Sequence, residues 1–180
     1  GQYGRFTESL FNVPQHVGDT LGYVDRIVGN FTLDDRAREA EHVVMVGTGT
    51  GLAPFVGMMK QAAHEARLGR KSPVKYTLIH ANRTVSELAF DDQLGALAKE
   101  GIEGFDFAYV RSASRPTPAD AADPTLCQGR ANNLLRSILG LPTREQEVVE
   151  EARAEGRDAE AAQRAFDKST KPRLGSGLDG

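Results

Sequence analysis

The segment Gly47-Thr48-Gly49-Thr50-Gly51-Leu52-Ala53-Pro54 holds the residues whose types and spacing speak most directly of chemistry. Glycines let a backbone turn sharply and let a phosphate approach it closely. Pro54 suits the first turn of a helix, where its missing N–H costs nothing. The free N–H groups of such a turn, with the helix dipole behind them, favour a bound pyrophosphate, and the threonine hydroxyls can add hydrogen bonds. The segment departs from the G-x-G-x-x-G fingerprint, because Leu52 stands where the last glycine would fall. Nor does a Gly-Lys-Ser/Thr follow to make a P-loop. A tight βα turn without a ligand is the plain alternative. The turn says phosphate and does not say which nucleotide.

Three arginines narrow the choice. Arg83 ends the run Ala81-Asn82-Arg83, Arg115 ends Ser112-Ala113-Ser114-Arg115, and Arg130 follows in the next loop. A site for NAD places an acid near the end of the second strand, to take the ribose hydroxyls, whereas a site for NADP favours arginine. Here no acid occurs before Glu87. A single arginine is ordinarily a solvated side chain. Three at corresponding positions after a phosphate turn read as a site for a 2′-phosphate.

These residues need a scaffold that brings strand ends together. His42 to Val46 is a short apolar run, followed by the glycine turn and a helical stretch from Pro54 to about Leu68. Its apolar positions Phe55, Met58, Met59, Ala62, Ala63 and Ala66 fall at helical spacing. A second strand is expected over Tyr76 to Ala81, and a third over Phe105 to Val110. Between them Thr84-x-x-Glu87 reads as a capping box that opens a helix carrying Leu88, Leu94, Leu97 and Ala98. A short helix is expected over Asn132 to Leu139, and Cys127 is expected in a loop. Strands alternating with helices argue for an α/β fold, a Rossmann-like parallel sheet with helices on both faces.

The flanks look different. Residues 1–40 carry short apolar clusters broken by Pro14, Gly18-Asp19, Gly22 and Gly29-Asn30, the pattern of small antiparallel strands too few to close a barrel. From Thr143 to Ser169 the chain is charged and helical, with a second capping box at Thr143-x-x-Gln146 and an interruption at Gly156. The tail from Thr170 has no periodicity and is expected to be mobile.

Composition excludes several classes. A formal charge of −3 gives no general attraction to nucleic acid or to an anionic membrane, so any anion site must be built locally. A single cysteine, Cys127, rules out an internal disulfide, and with four scattered histidines it makes no metal site. No apolar run approaches a membrane span and no signal peptide is present, so a cytoplasmic location is expected. Without an initiator Met, the chain is expected to begin inside a longer gene product. No acid–base pair or nucleophile constellation marks a catalytic residue.

At this point the sequence resembles the ferredoxin–NADP reductase family, in its bacterial branch, from about Gly4 to Leu139. Gly49-Thr50-Gly51-Leu52-Ala53-Pro54-Phe55 is similar to the family's pyrophosphate turn, T-G-T-G-[IL]-A-P-F. His80-Ala81-Asn82-Arg83 with Glu87-Leu88-Ala89-Phe90 resembles the segment whose arginine approaches the adenosine phosphate. Ser114-Arg115-Pro116 resembles the motif that binds the 2′-phosphate, and Gly129-Arg130 a pair that adds a further cation. Gly4-Arg5-Phe6-Thr7 resembles the G-x-x-[ST] segment against the FAD pyrophosphate, which makes Thr7 a flavin contact. Gly29-Asn30-Phe31-Thr32-Leu33 resembles the last turn and strand of the FAD-binding barrel.

The resemblance implies three parts: residues 1–40, the C-terminal remnant of an antiparallel FAD-binding β-barrel; residues 41–142, a Rossmann-like NADP-binding domain; and residues 143–180, a charged insertion and tail. It implies NADP(H) held by Gly47, Thr48, Gly49, Thr50, Gly51, Ala53, Pro54, Arg83, Ser114, Arg115 and Arg130. For the complete protein it implies FAD on a missing N-terminal domain, hydride transfer between NADPH and flavin, and ferredoxin or flavodoxin as partner. Two departures stand out: the family's R-x-[YF]-[ST] flavin motif and its late Cys-Gly strand are absent. Two other readings stay open, the NAD(P)H domain of a multicomponent oxygenase reductase and a nucleotide-binding module without catalysis of its own.

Overall fold

Each of the three runs becomes a strand of one parallel sheet; the second run, from Tyr76 to Ala81, is covered on both faces, whereas Val44 and Val46 of the first stay exposed on one. The computed structural model describes Glu8, residues 29–37 and residues 39–176. The expected barrel remnant and Thr7 thus fall outside the described residues, apart from the last positions. There Leu33, expected in the barrel's final strand, instead begins the one-turn helix α1 (Leu33–Arg36). The side chain of Thr32 explains the difference, since its Oγ1 accepts from the Asp35 backbone N at 3.2 Å and caps a helix. The chain divides into two compact units, Gly1–Phe31 and Thr32–Gly180, and the second holds the sheet.

Four parallel strands lie in the order β1 (His42–Thr48), β2 (Lys75–Asn82), β3 (Asp106–Ala113) and β4 (Cys127–Gln128). β4 corrects the expectation of a loop at Cys127. It is two residues long, pairs in parallel with Ser112 and Ala113, and carries no pattern that periodicity can detect. Cys127 is nonetheless buried, in a cluster with Ile79, Val110 and Leu134.

Alternation along the strands divides the core into two layers. Met45, Leu78 and Phe107 point to one face, against Val56, Met59 and Ala63 of α2 (Ala53–Arg67) and Leu94 of α3 (Asp91–Lys99). Ile79 and Val110 point to the other, where Leu134 of α5 (Ala131–Ile138) covers them. Full burial of each such side chain stabilises the fold by about 1.5–3 kcal/mol. A four-residue helix, α4 (Pro118–Ala121), capped by Thr117, was not expected.

The two Thr-x-x-Glu/Gln motifs behave differently. Thr143 caps α6 (Arg144–Ala154) as expected: its hydroxyl accepts from Gln146 N, and the Gln146 side chain accepts from Thr143 N. Thr84 opens only a 3₁₀ turn, Val85–Glu87, with no side-chain cap. There the Glu87 carboxylate accepts from Arg83 N at 3.3 Å, and the Asn82 side chain donates to Glu87 O at 2.8 Å. Local side-chain bonds at the strand end thus outcompete the helix. α3 starts only after Phe90, which takes a left-handed φ of 61°.

α6 ends at Ala154, two residues before the left-handed Gly156 (φ +67°), and α7 (Glu160–Lys168) follows. The tail is also corrected. Arg173 makes an antiparallel bridge to Gln128, and its guanidinium donates to the carbonyls of Ala121, Asp123 and Leu126. Those bonds tie the segment after α7 to β4.

Candidate functional site

In a parallel sheet every strand delivers its carboxyl end to one edge, where ligands bind. The register places Thr48 beside Ala81, Asn82 beside Ala113, and Ala113 beside Gln128. The residues that follow these ends are the glycine turn, Arg83, Ser114-Arg115 and Gly129-Arg130. All the predicted sites of residues 47–130 therefore lie along a single edge.

The glycine turn is a single 3₁₀ turn, Gly49–Leu52, running directly into α2. Gly49 has φ +52°, a left-handed conformation that side-chain-bearing residues adopt at a cost. Gly47 is buried, whereas Thr48, Gly49, Thr50, Gly51, Ala53 and Pro54 are exposed. Pro54 lies in the first turn of α2, and that turn contains no acidic residue. The positive end of a fifteen-residue helix dipole thus meets the turn with no acidic side chain in its first turn to cancel it.

Beyond the other strand ends lies a polar pocket of about 320 Å³, bordered by Arg83, Ser114, Arg115 and Arg130. Backbone bonds lock these segments together. Ser114 N donates to Asn82 O at 2.9 Å and Arg115 N to Arg83 O at 2.7 Å, extending the β2–β3 ladder past its end. Gly129 N donates to Ala113 O at 3.0 Å, and the buried Ser112 hydroxyl donates to Gly129 O at 3.0 Å. Gly129 itself has φ +114°, and a Cβ there would stand 3.2 Å from the Pro172 Cα. Only glycine fits a position that must both turn left-handed and admit the tail.

A shallower groove of about 620 Å³ shares Arg83, Ser114 and Arg130 with the pocket and reaches Thr48 and Val46. One surface therefore connects the end of β1 to the arginines. The pocket also contains residues that sequence reasoning missed: Asn133 and Glu145, and Lys168, Ser169 and Thr170. No local motif marks them. They come from α5, α6 and the end of α7, and only the fold brings them to the arginines.

Beneath the edge, a chain of polar contacts ties β2 to β3 and α3. His80 is fully buried, and its Nδ1 lies 2.8 Å from the Tyr109 hydroxyl, which donates to Asp91 at 2.9 Å. Arg111 bridges Asp91 and Asp123. Burial pushes the His80 pKa below its ordinary 6.5, with Asp91 opposing. Burial likewise raises the Tyr109 hydroxyl far above its usual range, helped by its bond to Asp91. The pair is neutral at physiological pH and serves as packing. Among the described residues, no group of three His, Cys, Asp or Glu could hold a metal ion, and no helix is long and apolar enough to cross a membrane.

A parallel sheet with helices on both faces, a glycine turn after its first strand and a cation-lined pocket beyond the next defines a Rossmann-like nucleotide-binding domain. Residues 45–136 match the model of the oxidoreductase NAD-binding domain family, and the chain belongs to that family, the NAD(P)-binding domain of the ferredoxin–NADP reductase group of flavin-dependent oxidoreductases. A ferredoxin–NADP reductase of Pseudomonas aeruginosa is 29% identical over 144 residues, 77% of this chain and 52% of that protein. Nitrate reductase [NADH] 2 of Phaseolus vulgaris is 30% identical over 112 residues, 61% of this chain and 12% of that protein. The chain thus spans about half of one relative and a small part of the other. The cytochrome b5 reductase domain of Ulva prolifera nitrate reductase aligns at 28% identity with a TM-score of 0.36, over 43% of this chain and 28% of that one.

Proposed function

We propose that this chain binds NADPH, as the nucleotide-binding portion of a reductase that passes electrons between NADPH, FAD and ferredoxin or flavodoxin. One observation carries the reading: Arg83, Ser114, Arg115 and Arg130, drawn from three strand ends, border one polar pocket. A phosphate monoester fits these residues, since planar guanidinium groups match its oxygens and the serine hydroxyl adds a donor. The residues that would hold the pyrophosphate are those of the turn, Gly47 to Gly51 with Ala53 and Pro54. Hydride transfer is the chemistry that NADPH and flavin supply when bound, and the protein contributes orientation and charge.

FAD and the acceptor belong to this proposal for the whole protein, with Thr7 as the flavin contact. The relative named for ferredoxin and NADP supports them, and the matched family supports the flavin. A cytoplasmic location is proposed too, and a single free, buried Cys127 is in keeping with a reducing compartment.

A second reading has its own observation. Glu145 reaches the same pocket with its side chain only 15% exposed, and a carboxylate there could accept from ribose hydroxyls, as in sites for NADH. Calorimetric titration with 2′-phospho-AMP and AMP separates the two. The NADPH reading expects a preference for 2′-phospho-AMP of roughly a hundredfold, lost in large part in Arg115→Ala. Equal binding, with AMP weakened in Glu145→Gln, would instead establish the NADH reading.

A further inference from the structure

Residues 143–171 look in sequence like a charged stretch with little to bury, yet the fold returns them to the edge that carries the arginines. Asn133 on α5, buried to 1% exposure, grips the start of α6 from both sides of its amide. Its Oδ1 accepts from Arg144 N at 3.0 Å, and its Nδ2 donates to Glu145 at 2.6 Å. Glu145 thereby lies 3.7 Å from the Arg130 guanidinium. At the far end of the segment, the Thr170 hydroxyl donates to Ser114 O at 2.6 Å. That bond pins the chain just after α7 to the strand end preceding Arg115, and it brings Lys168 to the pocket.

The charges there are four cations, Arg83, Arg115, Arg130 and Lys168, against one carboxylate. Among the described residues, the side chains of Arg83, Arg115 and Lys168 make no hydrogen bond or ion pair, and Arg130 has only the long contact to Glu145. Elsewhere among the described residues Arg67 pairs with Glu100, Arg144 with Glu147 and Glu151, and Arg164 with Glu160, while the exposed Arg36 and Arg70 have no ion pair; what sets the pocket apart is that its unpaired cations converge on one place. Like charges converging without partners repel one another, and a bound polyanion relieves the repulsion. A chain of net charge −3 has enough acids to neutralise such a cluster, and it leaves this one unneutralised.

Resting on the NADPH reading, we infer that the α6–α7 segment is part of the nucleotide site and that Lys168 is a specificity-determining residue, a fourth cation for the adenosine 2′-phosphate. Lysine suits this place as a flexible point charge at a helix end, complementing the fixed forks of the arginines.

The test is titration of the full chain, unaltered and as Lys168→Ala and Lys168→Arg, with 2′-phospho-AMP and with AMP. The expected result is a loss of roughly tenfold in 2′-phospho-AMP affinity for Lys168→Ala, less than about twofold for AMP, and recovery in Lys168→Arg. If the unaltered chain prefers 2′-phospho-AMP and Lys168→Ala keeps that preference, the inference is overturned and the NADPH reading stands. If Lys168→Ala weakens both ligands equally, Lys168 acts on the fold or the adenosine, and the inference is likewise overturned. Equal binding or no binding by the unaltered chain overturns both the inference and the NADPH reading.

Discussion

The glycine turn and the arginine pocket share one edge of the sheet, yet they are built in opposite ways. The turn is eight consecutive residues without a charged side chain, offering backbone N–H groups and a helix end. The pocket is all side chains, gathered from positions 83 to 170 and carrying four cations. Backbone donors recognise phosphate as such and are indifferent to what bears it. Side-chain cations at a fixed place distinguish a ligand with a phosphate there from one with a hydroxyl. On the proposed function the difference is a division of labour, in which the turn would supply affinity and the pocket the choice of nucleotide.

The largest effect should come from stripping the pocket. In Arg83→Ala/Arg115→Ala the preference for 2′-phospho-AMP over AMP should fall by roughly a hundredfold, with AMP affinity nearly unchanged, as read by calorimetry. A parallel loss of AMP binding would break the division. The turn is expected to fail differently. Gly49→Val must force a β-branched residue into φ +52°, at a cost of about 1–2 kcal/mol. NADPH and NADH affinities should then fall together, by roughly tenfold, with their ratio kept. A changed ratio would show that the turn also selects.

β2 underlies both regions, since it pairs with β1 and leads directly into Arg83, so a titration within it should weaken both alike. His80 resists protonation because it is buried, whereas in the unfolded chain it gains a proton near its ordinary 6.5. Below that pH the unfolded state binds more protons, and stability falls as pH falls. The slope can be no steeper than about 1.4 kcal/mol per pH unit. Thermal unfolding between pH 7.5 and 5.5 should show this decline, and His80→Asn should flatten it; an unchanged slope would assign the decline to other groups. The smallest effect is expected at the pocket's outer wall. Thr143→Ala removes the cap of α6 and should cost about 1 kcal/mol, seen as a lowered Tm. It should also loosen Glu145 and shift nucleotide preference, while the turn's response to NADH stays the same.

Much of the scaffold was legible, and the failures share a cause. The three long strands, α2 and α5 were readable because each repeats one pattern long enough to be seen. Thr84-x-x-Glu87 and Thr143-x-x-Gln146 are nearly the same motif, and only the second caps a helix. What separates them is the company each keeps. Val149 and Ala152 after Thr143 are buried and hold α6 in place, while Asn82 and Glu87 spend their hydrogen bonds at the strand end. β4 escaped notice because two residues hold no period, and the tail because its order comes from Gln128, far away in sequence.

The sequence by itself determined the α/β class, the glycine turn and the arginines after the strands, because strand runs, glycine turns and caps act between residues a few positions apart. Only the tertiary structure decided that these arginines share one pocket, that Asn133 and Glu145 line it, and that Lys168 closes the set. Such contacts join residues up to 87 positions apart, from Arg83 to Thr170. Their partners are chosen by how the helices pack on the sheet, a choice that no local pattern encodes.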